Sequence, residues 1–203
     1  MKGTKAVLII LAILIIDQVS KIYIKLNYQL RGSNNPIVDW DKFQLLFYEN
    51  EGMAWGATIP GDYGKLILTL FRLVAICGIG YWLWSNIKKK SPQILIICIA
   101  LIFAGALGNI IDSVFYGVIF TDSMNSIATA FPADGETYGT LFHGKVVDML
   151  YFPLFDGVWP DWMPIWGGET FSFFNAVFNV ADSAITVGVI LLILFSKKAF
   201  PEK

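Results

Sequence analysis

Charge, histidine and cysteine are all scarce in this chain. Charged residues make up 15% of its 203 residues, and the formal net charge is −1. Soluble domains carry about 25% charge, so water is excluded as the main solvent of the folded surface. Without a basic excess there is no nucleic-acid partner to expect. His143 is the only histidine, so zinc ligation would have to rest on carboxylates, and a Ser-His-Asp triad has a single candidate base. Neither HExxH nor GxSxG occurs. His143 stands in a Gly-rich loop segment and reads as a surface group. The two cysteines, Cys77 and Cys98, lie in apolar runs and read as small core residues, not as a disulfide framework or a metal site. No internal repeat or low-complexity segment is present.

Hydrophobic residues, by contrast, make up 56% of the chain. Four segments approach the roughly 20 residues needed to cross a bilayer: 6–25, 66–86, 94–114 and 174–195. The start, "MKGTKAVLIILAILIIDQVSKIYI", has the cationic and apolar regions of a signal peptide, but no small-x-small cleavage site follows, and Asp17 and Lys21 extend the helical pattern. It reads as a retained first span. Lys2 and Lys5, then Lys88–Lys90, then Lys197, Lys198 and Lys203 place both termini and the connection between spans two and three in the cytoplasm. Loops 26–65 and 115–173 then lie outside. Both are rich in aromatic and turn residues, and alternation over 43–48 predicts a short strand. The expected fold is an all-α membrane protein: a four-transmembrane-helix bundle with small extracytoplasmic β and loop elements, forming one integral membrane domain over 1–203.

Polar groups interrupt this apolar pattern at one depth. In "FNVADSAITVG" and the residues before it, Asn175, Asn179 and Asp182 fall on one stripe of a helix, within about 60° of one another. Asp17 and Lys21 stand at i, i+4 in the outer half of span one, where they can pair. Gly105, Gly108, Asn109 and Asp112 lie on one face near the outer end of span three, and Asp148 sits in the apolar stretch of "HGKVVDMLYF". Such groups cost about 2.5–3.5 kcal/mol each inside a bilayer and are functional candidates by default. Helix packing and interhelical hydrogen bonds account equally well for the glycines and asparagines, and a neutralised Asp17–Lys21 pair is a reasonable tether. Asp182 has no cation in its own span. Two carboxyls forced together share a proton; one can then deprotonate water while the other donates to a carbonyl oxygen, which is amide hydrolysis without a metal. A transporter or channel also uses intramembrane Asp, Asn and Lys, but the inner halves "AVLIILAILI" and "GVILLILF" are wholly apolar. An assembly protein that binds a partner through its aromatic outer loops is the remaining alternative.

These residues also carry a resemblance. "DQVSK" at 17–21, "NEGMAWG" at 50–56, "GALGNIID" at 105–112, "VVDM" at 146–149 and "FNVADSAITVG" at 178–188 resemble, in order, the motifs of lipoprotein signal peptidase (signal peptidase II), a bacterial inner-membrane aspartyl protease. The resemblance implies Asp148 and Asp182 as a catalytic pair, with Asn109, Asp112 and Asn179 as supporting or substrate-contacting groups. It places Asn50 and Gly52 in a substrate-contacting loop and makes Asp17 and Lys21 a structural pair. It further implies cleavage of diacylglyceryl-prolipoproteins before the lipidated cysteine, membrane lipid as the surroundings, a monomer, and neither metal nor cofactor. Two departures stand out. Ser113 replaces the arginine that commonly follows the third-motif aspartate, so a cation for Asp112 would have to come from elsewhere, Lys145 being the candidate. Insertions at about 118–142 and 153–172 lengthen the outer loop, which loop-closure entropy tolerates because it grows slowly with length.

Overall fold

The computed structural model describes residues 2–30, 35–51, 60 and 63–201. Apolar sequence without internal proline forms three long helices: α1 (Lys2–Asn27), α2 (Gly64–Lys88) and α3 (Gln93–Ile111). Each is long and apolar enough to cross a bilayer, the third together with its continuation to Ile119. Three such helices make this a multi-pass membrane protein. Lys90, in the left-handed conformation at φ 54°, and Pro92, the N-cap of α3, turn the chain back between α2 and α3. The bundle is built around α3: half of its most apolar window is buried within the protein, against 17% for α1 and α2. Leu8, Leu11, Ile15 and Val19 of α1, and Ile67, Phe71 and Val74 of α2, face outward, and lipid is the solvent that suits them.

Beyond α3 the helix widens into a π-turn over Asp112–Tyr116, followed by the short α4 (Gly117–Ile119). The remaining strands and helices pair as two small antiparallel sheets and a short final bundle element. Strands β1 (Val38–Trp40), β2 (Phe43–Asn50) and β3 (Val146–Tyr151) make a three-stranded sheet in that order, and β4 (Phe155–Val158) and β5 (Thr170–Phe173) make a separate antiparallel pair at the second of the two outer-loop insertions. The alternation expected over 43–48 breaks at a bulge between Leu45 and Tyr48, so Leu46 and Phe47 are buried side by side.

The last apolar run differs from the expectation of a span over 174–195. Helix α5 covers only Val180–Leu194, and α6 (Ser196–Ala199) adds one further turn. Residues ahead of Val180 are extended because Phe178 pairs with Leu150 of β3 and Asn179 caps the helix. Asn175 is therefore exposed and off the helix, and the stripe drawn through it and Asn179 does not form.

Two apolar clusters bracket the bundle. Ala6, Leu83, Leu95, Ile96 and Ile99 pack at the end distant from the sheet, while Ile24, Phe47, Tyr116, Phe120, Val147 and Met149 pack beneath it. The polar residues of α1 and α3 lie between them. A separate buried ion pair ties α1 to the sheet. Lys25 bonds Glu49 and, at 2.8 Å, Ser123, and its ammonium lies 4.8 Å from the centre of the Tyr138 ring. Removing one partner of a buried pair costs about 3–5 kcal/mol because the other is left uncompensated. Glu49→Ala is therefore expected to lower the Tm sharply, and Glu49→Ala with Lys25→Met to recover part of the loss. An unchanged Tm for the single variant would contradict this role.

Candidate active site

The sheet fixes the first carboxyl. In the antiparallel register after the bulge, Tyr48 lies opposite Asp148 and Asn50 opposite Val146. Asn50 and Asp148 thus share one face as diagonal neighbours, and the Asn50 amide donates to Oδ2 of Asp148. Asp148 itself is buried, at 3% exposure.

The start of α5 fixes the second. Asn179 has an extended backbone and closes a capping box with Asp182, three residues into the helix: its Oδ1 accepts the Asp182 N–H at 2.9 Å, and its own N–H donates to Asp182 Oδ2 at 3.3 Å. A negative charge in a first helical turn is favoured by the helix dipole. The same Asn179 side chain donates to Asp148 Oδ1 at 2.7 Å. One residue therefore contacts both carboxyls, Asp148 through its side-chain amide and Asp182 through its backbone N–H, and Asn179 is fully buried. Because Phe178 is zipped to β3 and Asn179 begins α5, strand and helix meet at this one residue.

Asn109 continues the network inward. Its amide donates to Asp182 Oδ1 at 2.8 Å, and its carbonyl accepts from Asn179 at 3.1 Å and from Lys21 Nζ at 2.9 Å. Lys21 also reaches Asp17 at 2.9 Å and Asp112 at 2.8 Å, so its three N–H donors meet three acceptors. Asp17 Oδ1 in turn accepts the Ala181 N–H at 2.8 Å, satisfying an amide that the first turn of α5 leaves unpaired. Gln18 donates to Asp17, to the Gly108 carbonyl and to Asp112, and accepts from the Tyr116 hydroxyl. The close approach needs the two glycines: a Cβ on Gly105 would lie 2.1 Å from the Ala181 carbonyl oxygen, and one on Gly108 2.7 Å from Asp17 Oδ2.

The predicted site residues Asp17, Lys21, Asn50, Asn109, Asp112, Asp148, Asn179 and Asp182 thus join one hydrogen-bonded cluster, while Gly52 lies outside the described residues. The cation for Asp112 is Lys21, not Lys145. Lys145 instead uses its backbone N–H on the Tyr138 hydroxyl, and its ammonium lies 5.7 Å from that ring. Ser113 turns back onto the Asn109 carbonyl of its own helix at 3.0 Å. His143 bonds within its own loop, to Thr140 and the Leu141 carbonyl. Gln18 and Arg72 escaped the sequence reading. Arg72 is the lone charge between Lys65 and Lys88 of α2, and that isolation was the available signal. It lines a cavity of about 200 Å³ together with Asn109, Asp182, Ile76, Ile79 and Ile185.

Burial pushes the Asp148 carboxyl up to about 7, and the neighbouring charge of Asp182 adds to the rise. A buried carboxyl and a half-buried one held by the same asparagine, the buried one keeping its proton to about neutral pH, have the chemical capacity for paired acid and base action.

The family profile described as "Signal peptidase (SPase) II" matches residues 9–198. The chain belongs to the signal peptidase II family. Signal peptidase II relatives named "Lipoprotein signal peptidase" include one from Porphyromonas gingivalis, 45% identical over 99% of this chain and 91% of its own, and one from Amoebophilus asiaticus, 35% identical over 96% of this chain and 78% of its own. A bacterial membrane enzyme solved by the in meso method at 2.3 Å resolution shares the fold, with a TM-score of 0.60 and 24% identity over 98% of this chain and 94% of that one. The protein is accordingly a membrane-embedded hydrolase of the protease class, concerned with lipoprotein processing.

Lys21 is the one cation that both Asp17 and Asp112 touch among the described residues. Lys21→Met leaves two buried carboxylates facing each other and is expected to cost about 3–5 kcal/mol, read as a lower Tm in detergent. Adding Asp112→Asn is expected to restore part of it. Equal Tm for wild type and Lys21→Met would remove the ammonium from its organising role.

Proposed function

We propose that this chain is an aspartic endopeptidase that removes the signal peptide from diacylglyceryl-modified prolipoproteins, cutting before the lipidated cysteine. The observation that carries the reading is that Asn179 holds both carboxyls, Asp148 through its side-chain amide and Asp182 through its backbone N–H. Family membership supports the substrate class.

The mechanism follows from a pair that shares one proton. The ionised carboxylate takes a proton from water as the oxygen attacks the scissile carbonyl, and the protonated carboxyl donates to the carbonyl oxygen. The tetrahedral diol then collapses, the C–N bond breaks, and the amine of the lipidated cysteine leaves with a proton returned through the dyad. Asp148 is the natural holder of the shared proton at neutral pH. Asn50, Asn109 and Asn179 orient the carboxyls, and the Lys21 cluster holds the asparagines. Gly52 belongs to the substrate-contacting loop after β2.

In this reading α5 and α6 form a fourth span. From Val180 to Ala199 the chain rises about 30 Å at about 1.5 Å per residue. The termini are cytoplasmic, and the sheet, with the dyad beneath it, lies at the outer leaflet of the bacterial inner membrane. The protein works as a single chain, with lipid holding the acyl groups of the substrate.

The test is incubation of the purified, lipid-reconstituted protein with a diacylglyceryl-modified precursor and with its unlipidated form. Cleavage of the lipidated form alone is expected, with Asp148→Asn and Asp182→Asn each folded and inactive. Turnover by either variant would remove that residue from catalysis. The pH dependence has a definite sign. Asp148 keeps its proton up to about 7, and above that it ionises and the acid is lost. The rate is then expected to fall about tenfold per pH unit. A profile flat to well above that point would contradict the shared proton.

A further inference from the structure

The cavity beside Asp182 is stratified. Three helix faces line it: Arg72, Ala75, Ile76 and Ile79 of α2, Ala106, Asn109 and Ile110 of α3, and Asp182 and Ile185 of α5. The first set follows i, i+3, i+4, i+7, one face of a helix. Helices α2 and α5 run away from the sheet and α3 runs toward it. Arg72, Asn109 and Asp182 therefore share the level near the sheet, while Ile79, Ala106 and Ile185 lie deeper. The apolar wall below Arg72 runs for about 10 Å, seven residues at about 1.5 Å each.

Arg72 is not explained by the network already described. It is half-buried in α2 and feels the charges of Asp182 and Asp148, but among the described residues it makes no hydrogen bond or salt bridge. Both oxygens of Asp182 already accept N–H groups from Asn109 and Asn179. A guanidinium is permanently charged, has five donors and accepts nothing. At membrane depth such a group is costly without acceptors, and the cavity it lines is where acceptors can come from. A carboxylate ligand would add a further negative charge beside the pair. Neutral carbonyl oxygens at the head of an apolar chain fit the lining better, since the chain lies along Ile76 and Ile79 while the oxygens meet Arg72.

We propose that Arg72 is a specificity-determining residue that hydrogen-bonds an ester carbonyl of the substrate's acylglyceryl group, with the acyl chain seated in the apolar stratum of the α2–α3–α5 cavity. The inference rests on the prolipoprotein-peptidase reading and adds to it the group that reads the lipid. Arg72 acts here on binding, not on the reacting bond.

Two precursors of identical peptide sequence test it, one carrying ester-linked chains and one carrying ether-linked chains that lack the carbonyl oxygens. Wild type is expected to show a lower KM for the ester form. Arg72→Leu is expected to raise the KM for the ester form about tenfold, with kcat unchanged and the ester–ether difference erased. Arg72→Lys, which keeps the charge and some donors, is expected to restore part of the difference, and the Tm of each variant confirms folding. Loss of kcat on both substrates with a shifted pH profile would overturn the inference in favour of a direct effect on the carboxyl pair. Wild-type cleavage with an Arg72→Leu variant indifferent in KM would overturn the inference alone, whereas a wild type inert toward both precursors would overturn the peptidase reading beneath it.

Discussion

The ammonium of Lys21, enclosed by Asp17, Asp112 and Asn109, is the constraint on which the rest of the site depends. An ion cluster buried at this depth is a poor source of stability, because desolvation cancels most of the Coulomb attraction. Its value is positional. The three acceptors come from two helices, and Asp17 reaches on to the first turn of a third through the Ala181 amide. Sliding α1 by one turn, about 5.4 Å, would strand two carboxylates and a lysine without partners. The cluster therefore fixes the relative depth of α1, α3 and α5, which apolar packing against lipid leaves loosely specified. Gly105 and Gly108 make that fixing possible by letting the backbones approach closely.

Above the cluster, geometry passes to short side chains with few rotamers. Asn109 and Asn179 each donate and accept at once, so each has one productive orientation once Lys21 and the capping box are set. Asn179 also marks the chain position where pairing with β3 stops and helix starts. Its backbone geometry, its cap and its bond to Asp148 are one structural event, which is why a strand residue and a helix residue far apart in sequence meet with little freedom between them.

How much of this was legible follows from which signals are local. Asp182 stood out because an acid without a cation in an apolar run has few structural explanations, and the Asp17–Lys21 pair follows from helical spacing. The sharing of Lys21 with Asp112 depends on the rotation of α1 against α3, which no single segment encodes, and so Lys145 looked like the partner instead. Asn175 was placed on the stripe by extending helical periodicity past the real start of α5. The local correction was present in the sequence, an asparagine followed three residues later by an aspartate, which is a cap and not a helix interior. Asp148 sits in a strand buried on both faces, where an apolar run has no periodicity to single out one acid, and only the family resemblance selected it. Arg72 alters neither the length of its span nor the cations at its ends, the two features that mark a span in the sequence.

The carboxyl pair and the cavity place opposite demands on the same few ångströms. In the proposed reading, hydrolysis needs water and a proton held near neutrality, while an acylated substrate needs hydrocarbon. The fold answers with direction instead of compromise. The sheet and the capped end of α5 present the hydrogen-bonding groups from one side, and the faces of α2, α3 and α5 turn apolar within a few residues on the other. At the boundary stand Asp182, Asn109 and Arg72, each on a different helix. A boundary built from three helices is held only if their depths are fixed, and the Lys21 cluster supplies that fixing for α3 and α5. Helix α2 has no ionic tie to the cluster among the described residues. Its position rests on apolar packing against α3, on Thr69, which donates to the Phe142 carbonyl at 3.0 Å, and on Lys65 at its start, which donates to the Glu51 carbonyl and lies 3.6 Å from the Glu51 carboxylate. The wall that carries Arg72 is thus the one least tied to the Lys21 cluster, which fits the proposal that this wall admits a lipid chain beside a more firmly held pair of acids.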